Sequence, residues 1–255
     1  MTRALHKAWW PLISPHLVSE LDSRSVSAPS GHRLGRELPF KIRLVRTHDQ
    51  LDKAINVRQQ AYSKHLPTLS EILGEAERAD KYADSIVLLA ESKEDGTALG
   101  TMRIQSNFKS PLDLEFEVTL PAMFSGRPIA HVTRLGVLPQ KHSSLIKLAL
   151  FKALHRYCLA MQIDWILATG IPPIDRQYDR LDFKDVFPDQ PLIPLRATGN
   201  IPARLLAWEV STAERRGFEL KHPLYEFMFE TYHPDIEVFN SLKGMWAQPR
   251  AERPN

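Results

Sequence analysis

His131 is the residue placed to move a proton near neutral pH. It lies in Ala130-His-Val-Thr-Arg-Leu-Gly-Val-Leu-Pro139, a stretch of strand character that leads into Gln140-Lys-His-Ser-Ser-Leu145 and then a long apolar helix. An imidazole of pKa about 6.5 is largely neutral at pH 7 and can take a proton directly or through water. The other role open to it is that of a strand histidine satisfied by a backbone carbonyl. A strand, turn and helix in this order can also close backbone N–H groups on a phosphate, and glycines usually let the turn do so. Residues 140 to 145 contain none. The helix start still has its positive dipole end and no acid among Ser143, Ser144, Leu145, Ile146 and Lys147, so an anion remains welcome there. Gly136, near the strand end, suits a bulge or a close backbone approach. Cys158, the single cysteine, falls within the apolar helix pattern and reads as a structural thiol rather than a nucleophile.

These groups need a scaffold, and the composition supplies one. With 255 residues, 43% hydrophobic and 25% charged, the chain is an ordinary globular sequence able to bury one sizeable core. One cysteine allows no internal disulfide, which favours a reducing, cytoplasmic setting. A net charge of +3 is too weak to argue for nucleic acid but admits an acidic protein partner. No run approaches the roughly 20 apolar residues of a membrane span. Ala8-Trp-Trp-Pro-Leu-Ile13 is short and broken by proline, and two roles are open to it: contact with a membrane surface, or docking onto its own domain.

Three parts are expected: an N-terminal segment and linker over 1–38, a domain over 39–240, and a tail over 241–255. Residues 22–37 are rich in Ser, Arg, Pro and Gly and show no period. Phe40 to Arg46 alternates as a strand with one covered face. Thr47 or Asp49 then caps a helix over 49–65, with Arg58 near its inner edge. Ser85–Glu91 and Ala98–Ile104 flank a Gly96 turn and form a hairpin. Residues 107–127 are mixed, with a short strand at Leu114–Val118. A strand over Ile129–Leu138 leads to a helix over 145–161, capped by Ser143 or Ser144. Its Lys147, Lys152, His155 and Arg156 gather on about half the circumference, away from the core. Asp164–Thr169 is a buried strand, Pro172-Pro173 start a short helix, Pro202–Val210 is a last long strand, and His222–His233 is an aromatic amphipathic segment.

This order resembles the GNAT superfamily of N-acetyltransferases. Tyr178-Asp-Arg-Leu-Asp-Phe183 resembles its Tyr-x-x-Leu-Gly-Phe segment, with Asp182 where glycine is usual, and Arg134-Leu-Gly-Val137 resembles the end of its central strand. Within the superfamily the chain is most similar to acyl-homoserine lactone synthases and, better, to long-chain N-acyl amino acid synthases, over roughly residues 40 to 240. The likeness rests on Arg58-x-x-x-Tyr62, Asp80 and Asp84, Gly100-Thr-x-Arg103, Arg134, and His233-Pro-Asp-Ile-Glu237. The resemblance implies an α/β (α+β) fold, a mixed, mostly antiparallel central sheet with helices on both faces. Lactone synthases carry an acid where this chain has His131, and a tryptophan where it has His65-Leu-Pro67. Both departures favour plain amide formation over chemistry on S-adenosylmethionine.

The implied reaction moves a fatty acyl chain from acyl carrier protein to the amine of an amino acid. The donor is acyl-phosphopantetheine, or acyl-CoA, with no tightly bound cofactor and no metal. Two alternatives are a lactone synthase and a domain without activity that binds acyl carrier protein. Amide synthesis needs a deprotonated amine, a polarised carbonyl and a protonated leaving thiolate. The resemblance gives His131 the first task, backbone N–H groups around Leu135, Gly136 and Val137 the second, and Tyr178 the third. Arg58, Tyr62, Asp80, Asp84, Arg103, Thr133 and Arg134 would form the acceptor site. Its guanidinium groups can hold a carboxylate, and Arg103 is expected to be the purely structural one. Lys141, His142, Ser143, Ser144 and Lys147 would meet the donor.

Overall fold

The computed structural model describes residues 36–238, so the segment through residue 35, most of the 1–38 expectation, and the 241–255 tail lie outside the described residues. Eight strands form one sheet: β1 (Phe40–Leu44), β2 (Ser85–Ser92), β3 (Ala98–Ser106), β4 (Ile129–Val137), β5 (Trp165–Gly170), β6 (Lys184–Asp185), β7 (Ile193–Pro194) and β8 (Pro202–Glu209). The order is β1-β2-β3-β4-β5-β8-β6, with β7 also paired to β8. Every pairing is antiparallel except β4 with β5. The helices are α1 (His48–Ser63), α2 (Pro67–Ile72), α3 (Ser143–Ala160), α4 (Arg176–Asp179) and α5 (Ala213–Glu219).

Local chemistry sets most of these boundaries. Thr47 caps α1 through a reciprocal capping box with Gln50. Gly96, at φ 72°, turns the β2–β3 hairpin. The far edge of β1 is covered by the C-terminal segment: Ile236 bridges Ile42, and the Asp235 carboxylate accepts from Leu38 N at 2.8 Å. That cover removes an edge open to pairing.

Two glycines show that the long helices take opposite faces. A Cβ on Gly100 would meet Ile146 of α3 at 2.8 Å, and one on Gly136 would meet Ala61 of α1 at 3.2 Å. Gly136 pairs with Thr101 and Gly100 with Val137, so neighbouring positions point to opposite sides. The α1 face therefore carries Arg103, Gln105, His131 and Thr133, and the α3 face carries Met102, Ile104, Val132 and Ile166.

Three expectations are corrected. Leu114–Val118 is not a strand: Asp113–Phe116 is a 3-10 turn closed by Glu115 on Leu112 N at 2.8 Å. It sinks Leu112 and Leu114 into an apolar cluster with Phe124, Leu167 and Leu205. Neither Ser143 nor Ser144 caps α3, because His142 is the N-cap and the Ser143 hydroxyl serves the preceding turn. Lys152 and His155 are buried rather than solvent-facing, because the segment around Phe227–Thr231 folds over that side of α3.

Candidate active site

Strand β4 makes the site by breaking its own ladders. Against β3 it pairs Thr133 with Arg103 and then Gly136 with Thr101, so Arg134 and Leu135 together oppose Met102 as a β-bulge. Arg134 occupies the left-handed region at φ 56°, a costly position for a side-chain-bearing residue. Against β5, pairing runs from Ile129↔Trp165 to Val132↔Ala168 and stops while β4 continues to Val137. The sheet opens there, and Leu135 and Val137 are half-buried along the opening.

The bulge is held by charge. Arg134 donates Nε and Nη2 to the two oxygens of Glu77, at 2.7 and 2.6 Å, and Nη1 to the Ala197 carbonyl at 2.6 Å. Arg103 donates Nη1 to Glu77 (2.9 Å) and Asp80 (3.3 Å), and Nε to the Thr133 hydroxyl (3.1 Å). Arg58 reaches Asp80 at 2.8 Å. Three guanidinium groups thus face two carboxylates. Burial acts to raise the Glu77 carboxyl, but the hydrogen bond and charge of Arg134, then Arg103, hold it below its ordinary value. Asp80 is lowered in the same way, by Arg58 and then Arg103 against the effect of burial. Tyr62 lies on α1 beside the cluster, its phenol raised by burial against the opposing pull of the arginines.

Of the expected acceptor residues, the structure brings together Arg58, Tyr62, Asp80, Arg103, Thr133 and Arg134. Asp84 is elsewhere: its carboxylate takes Lys109 N, Ser110 N and the Ser110 hydroxyl, closing the loop after β3. Arg58 is fully enclosed at 0% exposure, whereas Arg103 and Arg134, themselves mostly buried, line an open cleft of ≈ 620 Å³. Glu77 is the member that sequence reasoning missed. Its only sequence signal is the Glu77-x-x-Asp80 spacing, which folds into a 3-10 turn with Glu77 N donating to Asp80 at 3.0 Å.

His131 lines the same cleft at 3% exposure and meets the Thr169 hydroxyl on β5 through Nε2 at 2.9 Å. Burial, then the charges of Arg103 and Arg134, push its pKa down to about 3. The ring is therefore neutral at physiological pH and a poor resting place for a proton. Tyr178 lies on the other face, edge-on to Phe151 (5.8 Å) and Phe183 (5.4 Å). Burial, with Tyr62 adding to it, pushes its phenol above the ordinary range, so it stays protonated.

The turn after β4 uses its polar groups on itself. Gln140 N donates to the Ser143 hydroxyl at 2.7 Å, and Ser143 N donates to the Gln140 carbonyl at 3.2 Å. Lys141 and Ser144 are exposed and His142 is half-buried. Burial, then Arg180 nearby, lowers the Lys147 pKa.

The family model described as N-acyl amino acid synthase FeeM matches residues 53–207, from within α1 to near the end of β8. The chain belongs to the N-acyl amino acid synthase FeeM family. As a member of it, the chain is an acyltransferase. No curated protein matches by sequence. Among solved structures, FeeM, an N-acyl amino acid synthase from uncultured soil microbes, is 19% identical with a TM-score of 0.55, covering 74% of this chain and 98% of that one. BjaI, a CoA-dependent acyl-homoserine lactone synthase, is 17% identical with a TM-score of 0.50, covering 72% and 90%. At these identities the likeness speaks for the fold, which is the GNAT-like sheet with helices on both faces. Asp182 stands where the resemblance to the GNAT segment implies a glycine. It sits at φ 64°, the left-handed conformation that aspartate tolerates better than most side chains, and its carboxylate binds Lys184 and Arg216 at 2.6 and 3.0 Å.

Proposed function

We propose that this synthase transfers a fatty acyl chain from acyl carrier protein to the α-amine of an amino acid. The observation that carries the reading is the opening beside β4. On one face of the sheet a cation-rich cleft reaches β4 at His131, Thr133 and Arg134 and holds a neutral imidazole, and the other face carries a protonated phenol. The acceptor enters on the α1 face and the thioester arm on the α3 face, so that both reach the end of β4. After attack the amine nitrogen becomes strongly acidic, and a weak base is enough to accept its proton in passing. His131, held by Thr169, serves as that base or aligns a water that does. Tyr178 supplies the proton to the departing thiolate. The acyl carrier protein reading is supported by the turn over 140–143: two of its N–H groups are engaged internally, and Lys141, His142 and Lys147 form a basic approach for a phosphopantetheine carrier with acidic helices.

The test is a product assay. The protein is incubated with acyl carrier proteins and acyl-CoAs of several chain lengths plus pooled amino acids, and N-acyl products are sought by mass spectrometry. N-acyl amino acids from the carrier-protein donor are expected, and His131→Ala and Tyr178→Phe should each slow their formation about 100-fold. Release of methylthioadenosine from S-adenosylmethionine, or product from acyl-CoA alone, would overturn the reading. Unchanged rates in the two variants would remove those roles.

A further inference from the structure

Several of the arginines around this cleft are poorly placed to serve an acceptor's carboxylate, because they are enclosed or already engaged by the protein's own acids, hydroxyls and carbonyls. Arg58 is enclosed on Asp80. Arg134 has Nε, Nη1 and Nη2 all engaged, and Arg103 is tied to Glu77, Asp80 and Thr133. Two further arginines line the cleft, Arg196 and Arg78. Arg196 faces Glu117 through both its backbone N–H (2.7 Å) and its guanidinium (3.7 Å). Arg78 is exposed and makes no ion pair among the described residues.

We infer that Arg78 binds the carboxylate of the acceptor amino acid and so holds its amine toward His131. Arg78 lies between Glu77 and Asp80 on the 3-10 turn, and these two acids anchor that turn to the arginines behind it. The buried network is thus the mount, and Arg78 is the hand it presents to the cleft. The carboxylates that line the cleft fit this assignment. Glu77 is bound to Arg134 and Arg103, and Glu117 faces Arg196. Asp113 also lines the cleft, and among the described residues neither it nor any other acid lies within salt-bridge distance of Arg78.

This inference rests on the acceptor being an amino acid, and the experiment separates the two claims. Steady-state kinetics with saturating acyl donor compare the wild type with Arg78→Ala, Arg78→Lys and Arg196→Ala, using the best amino acid and its carboxamide as acceptors. Arg78→Ala should raise KM for the amino acid about tenfold or more with kcat little changed. Arg78→Lys should recover part of the loss, and the carboxamide should be a poor acceptor for the wild type and no poorer for Arg78→Ala. An unchanged KM in Arg78→Ala, or an equal loss for amino acid and carboxamide, overturns the role of Arg78 while the proposed function stands. A larger loss in Arg196→Ala than in Arg78→Ala also overturns it. A wild type that acylates amines but no amino acid overturns the function and Arg78 together.

Discussion

The two faces of the sheet each bury positive charge, and they do so in opposite ways. On the α1 face, Arg58, Arg103 and Arg134 are buried against Glu77 and Asp80, and the pKa of Arg134 is raised: burial acts downward, but the hydrogen bond and charge of Glu77 outweigh it. For Arg103 burial prevails over the charges of Glu77 and Asp80, and the pKa is lowered from its high ordinary value. On the α3 face, Lys152 is buried on carbonyl oxygens alone. It donates to Phe227 O at 2.5 Å and to Thr231 O, with its ammonium 5.4 Å from the Phe227 ring. No carboxylate meets it among the described residues, and burial, then the charge of Arg156, lowers its pKa to about 8. Two buried histidines share that side, His155 and His233, each pushed by burial to about 4. A carboxylate partner lets a buried cation keep its charge and act on a neighbour such as His131. Carbonyl partners only fasten it, and here they fasten the 224–233 segment to α3.

The sharpest way to break this contrast is to remove the acid that two arginines share. Glu77→Gln keeps the shape but leaves Arg103 and Arg134 short of their partner in a mostly enclosed setting, and should cost about 3 kcal/mol of stability. Urea unfolding at pH 7 measures it. A loss under about 1 kcal/mol would mean that the network is screened like a surface pair.

A smaller effect tests the buried histidines of both faces by acid. His155 and His233, with folded pKa values of about 4, and His131, at about 3, lie below the unfolded value of about 6.5. At pH 7 they are largely neutral in both states and add little dependence. As pH falls through about 6.5, the unfolded chain gains protons that the folded chain cannot, so stability is lost progressively toward pH 4. At pH 5 each group contributes a loss of about 2 kcal/mol. His155 packs against Trp208 and Phe229, both at 5.3 Å, so His155→Phe should be accommodated and should flatten the decline by one group's share. Parallel stability curves for wild type and variant between pH 7 and 5 would show that His155 does not titrate as its surroundings dictate.

What could be read from the sequence was what neighbouring residues decide. The hairpin, the Thr47 cap and the close approach at Gly136 all follow from local types and spacing. Long-range pairings were not legible. Glu77 meets Arg103 and Arg134 across 26 and 57 residues of chain, and nothing near it is periodic. Asp80 and Asp84 are equivalent on paper, and only the turn over Arg78–Lys81 sends one inward and the other to the loop at Lys109. Lys152 and His155 read as a solvent-facing stripe because the segment that covers them is some 75 residues later in the chain. The same limit hid Arg78: that its guanidinium meets no acid among the described residues is visible only once the partners of the others are known.

Lys152→Met offers the smallest effect and the finest test of the comparison. The substitution leaves the carbonyls of Phe227 and Thr231 without their donor, at about 1 to 3 kcal/mol for each one left unsatisfied. It also removes an ammonium whose burial has no carboxylate to offset it, a penalty of several kcal/mol in an enclosed setting. The two oppose each other, so the net change at pH 7 should stay within about 1 kcal/mol. The pH dependence has a definite sign. Because the folded pKa of Lys152 is lowered, the cost of its charge is present below about 8 and is relieved as pH rises from there toward its unfolded value. The wild type should therefore gain on Lys152→Met between pH 8 and 10, whereas its margin over Glu77→Gln should hold steady, since the arginines keep their protons. Equal losses for Lys152→Met and Glu77→Gln at pH 7, with no drift at higher pH, would mean that carbonyl oxygens hold a buried cation as firmly as carboxylates do, and the distinction between the two faces would fall.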